Sequence, residues 1–213
     1  MKQALILLLA LAAVAGATPT PPPSQITFVD APTGVNDGAY YVMPYRIKID
    51  GVYTLVTCYD TFDDVNPGDK WQANLLSIGD AATSGFFGGP NALPLYERIA
   101  WLSSRTYSND KQQVGLQHEI WRVFGSASLT QDAAIYGNAA DVAAANGYAG
   151  FDFSTFRFIE QVNGVAGRPG TEQAFVFREG GSPAPLPEPG ALAQLGAGAL
   201  LILGAGRYWK KRR

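Results

Sequence analysis

The two ends of this chain decide how much of it is left to form a globular core. Ala191 to Gly206 is a run of 16 residues with no charge and a single polar side chain, Gln194. Such a run suits hydrocarbon better than water, although at about 1.5 Å per residue it spans only about 24 Å. Tyr208 and Trp209 extend it to residues 191–209 as an expected transmembrane helix, and residues 210–213 form a basic stop that the positive-inside rule keeps cytoplasmic. Ahead of it, residues 180–190 are a Pro/Gly linker, because proline lacks an N–H group and glycine favours a flexible chain. At the other end, Lys2 is a positive n-region, Ala4 to Val14 an apolar h-region, and Ala15-Gly16-Ala17 a small-x-small cleavage site. Residues 1–17 therefore read as a secretory signal peptide with an N-terminal helix. Residues 18–24 carry four prolines and read as an extended lead-in. What remains, 25–179, is one domain of roughly 155 residues, long enough to bury a core of its own.

Leu186-Pro187-Glu188-Pro189-Gly190, the apolar span and the basic end form a tripartite tail. It resembles the PEP-CTERM sorting signal of Gram-negative bacteria, in which the motif at Pro187, Glu188 and Pro189 marks the segment handled by an exosortase, a membrane-embedded cysteine protease. The resemblance implies Sec-type export and a membrane-held intermediate with its domain in the periplasm. After processing the product would reside at the cell surface or in the extracellular matrix, in contact with exopolysaccharide or surface amines.

Charge gives an independent restriction. The whole chain has 16 basic and 18 acidic residues. Lys2, the five bases of the tail and Glu188 lie outside the domain, which leaves it ten bases and 17 acids, a net charge of −7. Nucleic-acid binding calls for clustered Lys and Arg, and this domain has no such cluster.

The domain reads as α+β, an antiparallel β-meander or sandwich with a central group of about three helices. Gln25 to Val29, Tyr40 to Ile49, Val52 to Tyr59 and Trp71 to Ile78 are rich in β-branched and aromatic residues, and Asp50-Gly51 is a two-residue hairpin signal. Leu93 to Ser104, Asn109 to Phe124 behind a Ser108 cap, and Thr130 to Asn146 carry helical spacing. Strands return at Thr155 to Val162 and Glu172 to Arg178. Strands, then helices, then strands argue against a doubly wound sheet.

Cys58 is the only cysteine of an exported chain, so it has no internal disulfide partner. It shares a strand face with Val52, Thr54 and Val56, which predicts burial; a small buried hydrophobe is the simplest role for it. Gln117 falls inside the apolar arc of its helix with Val114, Leu116, Ile120 and Trp121, while His118, Glu119 and Arg122 fall outside it. An unpaired amide there would cost about 1 to 3 kcal/mol, so Gln117 should bond backbone groups of the neighbouring sheet.

Three blocks, Tyr53 to Asp60, Leu116 to Val123 and Glu172 to Val176, resemble in order and residue type those of thioester-domain (TQXA-type) adhesins of Gram-positive surfaces. The resemblance implies an internal thioester between Cys58 and Gln173, with Gln117 and Trp121 as support or Gln117 as the alternative acyl partner. Leu116 stands where the family has Thr, and Glu119 where it has Ala. In this chemistry a thiol displaces ammonia from a carboxamide and stores an acyl group that an amine or hydroxyl later captures.

Other clusters are less specific. Asp60, Asp63, Asp64 and Asp69 surround Asn66-Pro67-Gly68 without the EF-hand spacing, and a solvated turn accounts for them. Phe86-Phe87-Gly88-Gly89-Pro90 reads as a turn packing on the core. No catalytic set, metal site or cofactor is expected. The sole histidine, His118, lacks the convergent partners that a secreted hydrolase, the third function class, would need. The expected function is an exosortase-sorted surface or matrix protein without turnover; a covalent adhesin is the alternative.

Overall fold

Six strands of alternating residues close on themselves because each finds a partner on both sides. The computed structural model describes residues 21–87, 89, 91–125, 127, 129–166 and 171–180. In chain order the strands are β1 (Ser24–Asp30), β2 (Tyr45–Ile49), β3 (Val52–Cys58), β4 (Lys70–Leu76), β5 (Phe156–Gln161) and β6 (Phe175–Arg178). They form a closed antiparallel barrel in the order β1-β2-β3-β6-β5-β4. The fold is thus α+β, but its sheet is a barrel and not a sandwich. The β2–β3 hairpin turns at Asp50 and Gly51, both with positive φ (48° and 86°), the pattern of a type I′ turn that Asp-Gly favours.

Register sorts the side chains. Ile26 faces Ile49 and Trp71 across its two neighbours, Tyr45 faces Val56, Cys58 faces Phe175 and Ile159 faces Phe175. These residues fill the barrel interior, where Phe175 packs against Phe28, Tyr45 and Trp71 at ring separations of 5.8 to 6.4 Å. On the opposite parity Tyr59, Phe158 and Val176 look outward onto the helices and are equally buried, whereas Gln25 and Tyr53 are exposed.

Four helices follow, α1 (Ile78–Thr83), α2 (Leu93–Ser103), α3 (Asp110–Arg122) and α4 (Gln131–Ala145); the first three lie against the sheet and α4 packs on α2 and α3. The first of them, capped by Ser77, lies where the sequence pattern reads only the end of a strand. α3 is capped by Asn109, whose side chain accepts the N–H of Gln112, and not by Ser108, whose hydroxyl instead donates to the Gln112 carboxamide. α4 begins at its Thr130 cap as the sequence implies. Residues 40–44, read as the start of a strand, form a loop ahead of β2 that carries the cis Met43–Pro44 bond. An aromatic cluster joins sheet to helices: Tyr59, Tyr96, Phe124 and Phe158 meet at centroid distances of 4.9 to 6.3 Å. Phe87 stacks on Phe124 at 4.4 Å, which places the Phe86-Phe87 turn on the core.

Among the described residues no helix is long and apolar enough to cross a membrane. The expected signal helix and transmembrane helix, with Ala15, Ala17, Pro187, Glu188 and Pro189, lie outside the described residues.

Candidate functional site

Cys58 ends β3 with its side chain in the barrel interior and no exposure to solvent. Its thiol donates to the carbonyl oxygen of Asp60 at 3.0 Å. Burial, reinforced by the negative charge of Asp60, holds the thiol's pKa well above its usual value. The indole N–H of Trp121 lies beside the sulfur and favours its charged form, but makes no hydrogen bond of ordinary geometry with a described residue.

Gln117 is fully buried on α3 and secures this corner of the barrel. Its Nε2 donates to the carbonyl oxygen of Cys58 at 2.7 Å, and its Oε1 accepts the N–H of Met43 at 3.0 Å. Gln113, one helical turn earlier, donates to the carbonyl of Met43 and to the hydroxyl of Thr33. Both ends of its carboxamide are thus engaged by backbone.

The placement of Gln173 follows from the β3–β6 pairing. Cys58 stands opposite Phe175, and the N–H of Tyr59 donates to the carbonyl of Ala174 at 3.2 Å, so the register continues past the end of the strand. On that register Gln173 is the diagonal neighbour of Cys58, two residues beyond its direct partner and on the same face by strand alternation. Direct opposition, at a Cβ separation of about 4.5 to 5.5 Å, belongs to Phe175; the diagonal is about 7 to 8 Å between Cα atoms and somewhat less between Cβ atoms. The two methylenes of a glutamine side chain can close that gap. Gln173 is half-buried, and its own carboxamide bonds no described residue.

Asp60 belongs to this site although the sequence reading placed it in a solvated turn. It is fully buried; its Oδ1 accepts the N–H of Phe62 at 2.8 Å, and its Oδ2 has no hydrogen-bond partner among the described residues. Burial first, and then the neighbouring carboxyl of Asp63, push its pKa up to about 7. Its charged form is favoured by the N–H of Phe62, which it accepts, and by the N–H of Ala174, which lies near the carboxyl without forming a hydrogen bond of ordinary geometry. Its position two residues after Cys58 on one strand face was the signal available in the sequence.

Two residues assigned to the polar face of α3 are buried instead. His118 is 7% exposed, pairs through Nε2 with Asp37 at 2.9 Å and stacks on Trp121. Glu119 is held by Arg98 at 2.7 Å and by Arg122 at 3.4 Å. Helical periodicity misplaced them because the loop before β2 and the helices α2 and α4 cover flanks of α3 that a lone helix would leave wet. Glu119 has room because residue 137 is glycine: a Cβ there would come within 3.1 to 3.2 Å of the Glu119 carboxyl. Leu116 is fully buried.

Among the described residues no group of three or more His, Cys, Asp or Glu could hold a metal ion. Cavities of about 430 Å³, beside Arg98 and Tyr148, and about 320 Å³, beside Asp37 and Asp132, open elsewhere; neither is lined by Cys58 or Gln173. No protein-family description, no curated protein and no solved structure matches this chain.

Proposed function

We propose that this is an exported surface or extracellular-matrix protein, sorted by an exosortase and acting without turnover, whose domain holds an internal thioester between Cys58 and Gln173. It would serve as a single-use covalent anchor: an amine or hydroxyl of an exopolysaccharide or surface protein captures the Gln173 acyl group and releases the thiol. The observation that supports the reading is the β3–β6 register, which, continued past the strand ends, sets a buried thiol and a carboxamide that bonds no described residue on one face while Gln117 is bound elsewhere. The test is intact mass of the mature protein. A thioester lowers it by about 17 Da through loss of ammonia, and Cys58→Ala removes that deficit. Full sequence mass with an alkylatable thiol under denaturing conditions would reject the bond.

A second reading, the same sorted protein with an inert thiol, is favoured by the hydrogen bond from Cys58 to the Asp60 carbonyl and by the raised thiol pKa. The same mass measurement separates the two. Sorting is tested apart from both, by fractionating cells that make the protein with and without Pro187 to Pro189; identical location and identical tail mass would reject exosortase handling.

A further inference from the structure

Four buried side-chain atoms have no hydrogen-bond partner among the described residues, and two of them flank Cys58: Oδ2 of Asp60 and Nε1 of Trp121. Each orphan costs about 1 to 3 kcal/mol, so an acceptor and a donor left open around one thiol call for a ligand group or a reaction that uses them. We propose that Asp60 is the acid–base group of the thioester chemistry, carrying a proton between Cys58, the Gln173 nitrogen and the incoming nucleophile, with the Trp121 indole N–H steadying the acyl oxygen. This deepens the thioester reading and rests on it.

The steps balance without any further reagent. The Asp60 carboxylate takes the thiol proton as the Cys58 Sγ–Gln173 Cδ bond forms and the carbonyl electron pair moves onto Oε1. The Asp60 carboxyl then gives that proton to the amide nitrogen, the C–N bond breaks, the C=O bond re-forms and ammonia leaves. In capture the same carboxylate takes a proton from the attacking amine and returns it to the departing thiolate. A buried thiol whose ionisation is held back by burial needs such a base, and a carboxyl poised near neutrality is suited to both directions of transfer. The position fits as well. Asp60 lies two residues beyond Cys58, its own backbone carbonyl accepts the thiol, and the register continued past β3 sets it across from Gln173.

The titratable groups that act on Asp60 are Cys58 at the end of β3, Tyr59 just after it and Asp63 in the turn that follows; Cys58 in turn faces Asp64 and Tyr45 on β2, and Asp63 faces Glu172 ahead of β6. On α3 the His118–Asp37 pair lies beyond Trp121.

The experiment follows mass against time in the full mature chain, refolded from denaturant and then exposed to methylamine. Wild type is expected to lose about 17 Da and then to gain methylamine, with a capture rate that rises through a midpoint near pH 7. Asp60→Asn should slow both steps by about 10²- to 10⁴-fold and abolish the midpoint, while Asp63→Asn should lower the midpoint and leave the bond forming. If Asp60→Asn forms and spends the thioester at the wild-type rate and pH profile, the proposal is overturned and the thioester stands. If wild type keeps its full mass, both fall. Should Asp60→Asn fail to fold, the wild-type profile decides: capture that tracks only the amine's own ionisation, with no inflection near pH 7, overturns the role of Asp60.

Discussion

The carboxamide of Gln117 joins Cys58 to Met43, donating to the carbonyl of one at 2.7 Å and accepting the N–H of the other at 3.0 Å. Both residues are buried, one at the end of β3 and the other ahead of β2. Gln117→Leu keeps the volume but strands a donor and an acceptor; we expect a loss of about 2 to 4 kcal/mol in urea unfolding. Gln117→Glu, which keeps only the acceptor, should also destabilise, and more so at pH 8 than at pH 5.

Arg98 ties three helices together: from α2 it reaches Glu119 on α3, Asp141 on α4 at 2.5 Å and the carbonyl of Gly137 at 3.2 Å. Arg98→Met keeps the aliphatic stem but leaves Glu119, 5% exposed, with Arg122 alone. A loss of about 3 kcal/mol is expected in thermal or chemical denaturation. Glu119→Gln in the Arg98→Met background should recover part of it, which a double-mutant cycle would read.

Gly115 is where α3 and α4 approach most closely for a Cβ to feel it. An added Cβ would lie 2.4 Å from Cβ of Asp132 and 2.9 Å from the backbone nitrogen of Ala133, at the first turn of α4. Neither neighbour is the end of a flexible side chain. Gly115→Ala should therefore cost about 2 to 4 kcal/mol despite alanine's better helix propensity, with circular dichroism checking that helix content survives.

Glu160 accepts the hydroxyls of Tyr59 and Tyr96 at 2.9 and 2.7 Å, and burial raises its pKa above 4.5. A carboxyl whose folded-state pKa is raised binds its proton more tightly when folded. The stability it contributes is fully present below the unfolded pKa and is lost as pH rises through the folded value. Urea midpoints measured from pH 5 to pH 8 should fall for wild type and fall less for Glu160→Gln. Asp60 adds a decline of the same sign in both proteins, so their difference isolates Glu160.

Strand and helix positions were largely legible because their causes are local. Richness in β-branched and aromatic residues marked β1 and β3, Asp50-Gly51 marked the hairpin that joins β2 to β3, and helical spacing marked α4. The burial of Gln117 and its backbone partners followed from an amide in an apolar arc, a rule that holds wherever the arc packs. What local reasoning missed depends on distant chain. His118 and Glu119 are buried by segments some 80 residues before and 20 residues before them, through Asp37 and Arg98. Closure of the sheet depends on β4 pairing both β1 and β5, which no single segment encodes. Asp60 read as a loop acid because its turn is rich in acids; only the β3–β6 register shows it enclosed.

Every one of the six strands has a neighbour on both sides, so no strand of the described domain presents a full row of unpaired N–H and C=O groups, although residues 52–56 of β3 pair on the β2 side alone. Open sheets present such rows as templates for chain-to-chain pairing, and that hazard grows with crowding. In this ring such rows shrink to short stretches like that of β3, so chain-to-chain pairing has little backbone to start from.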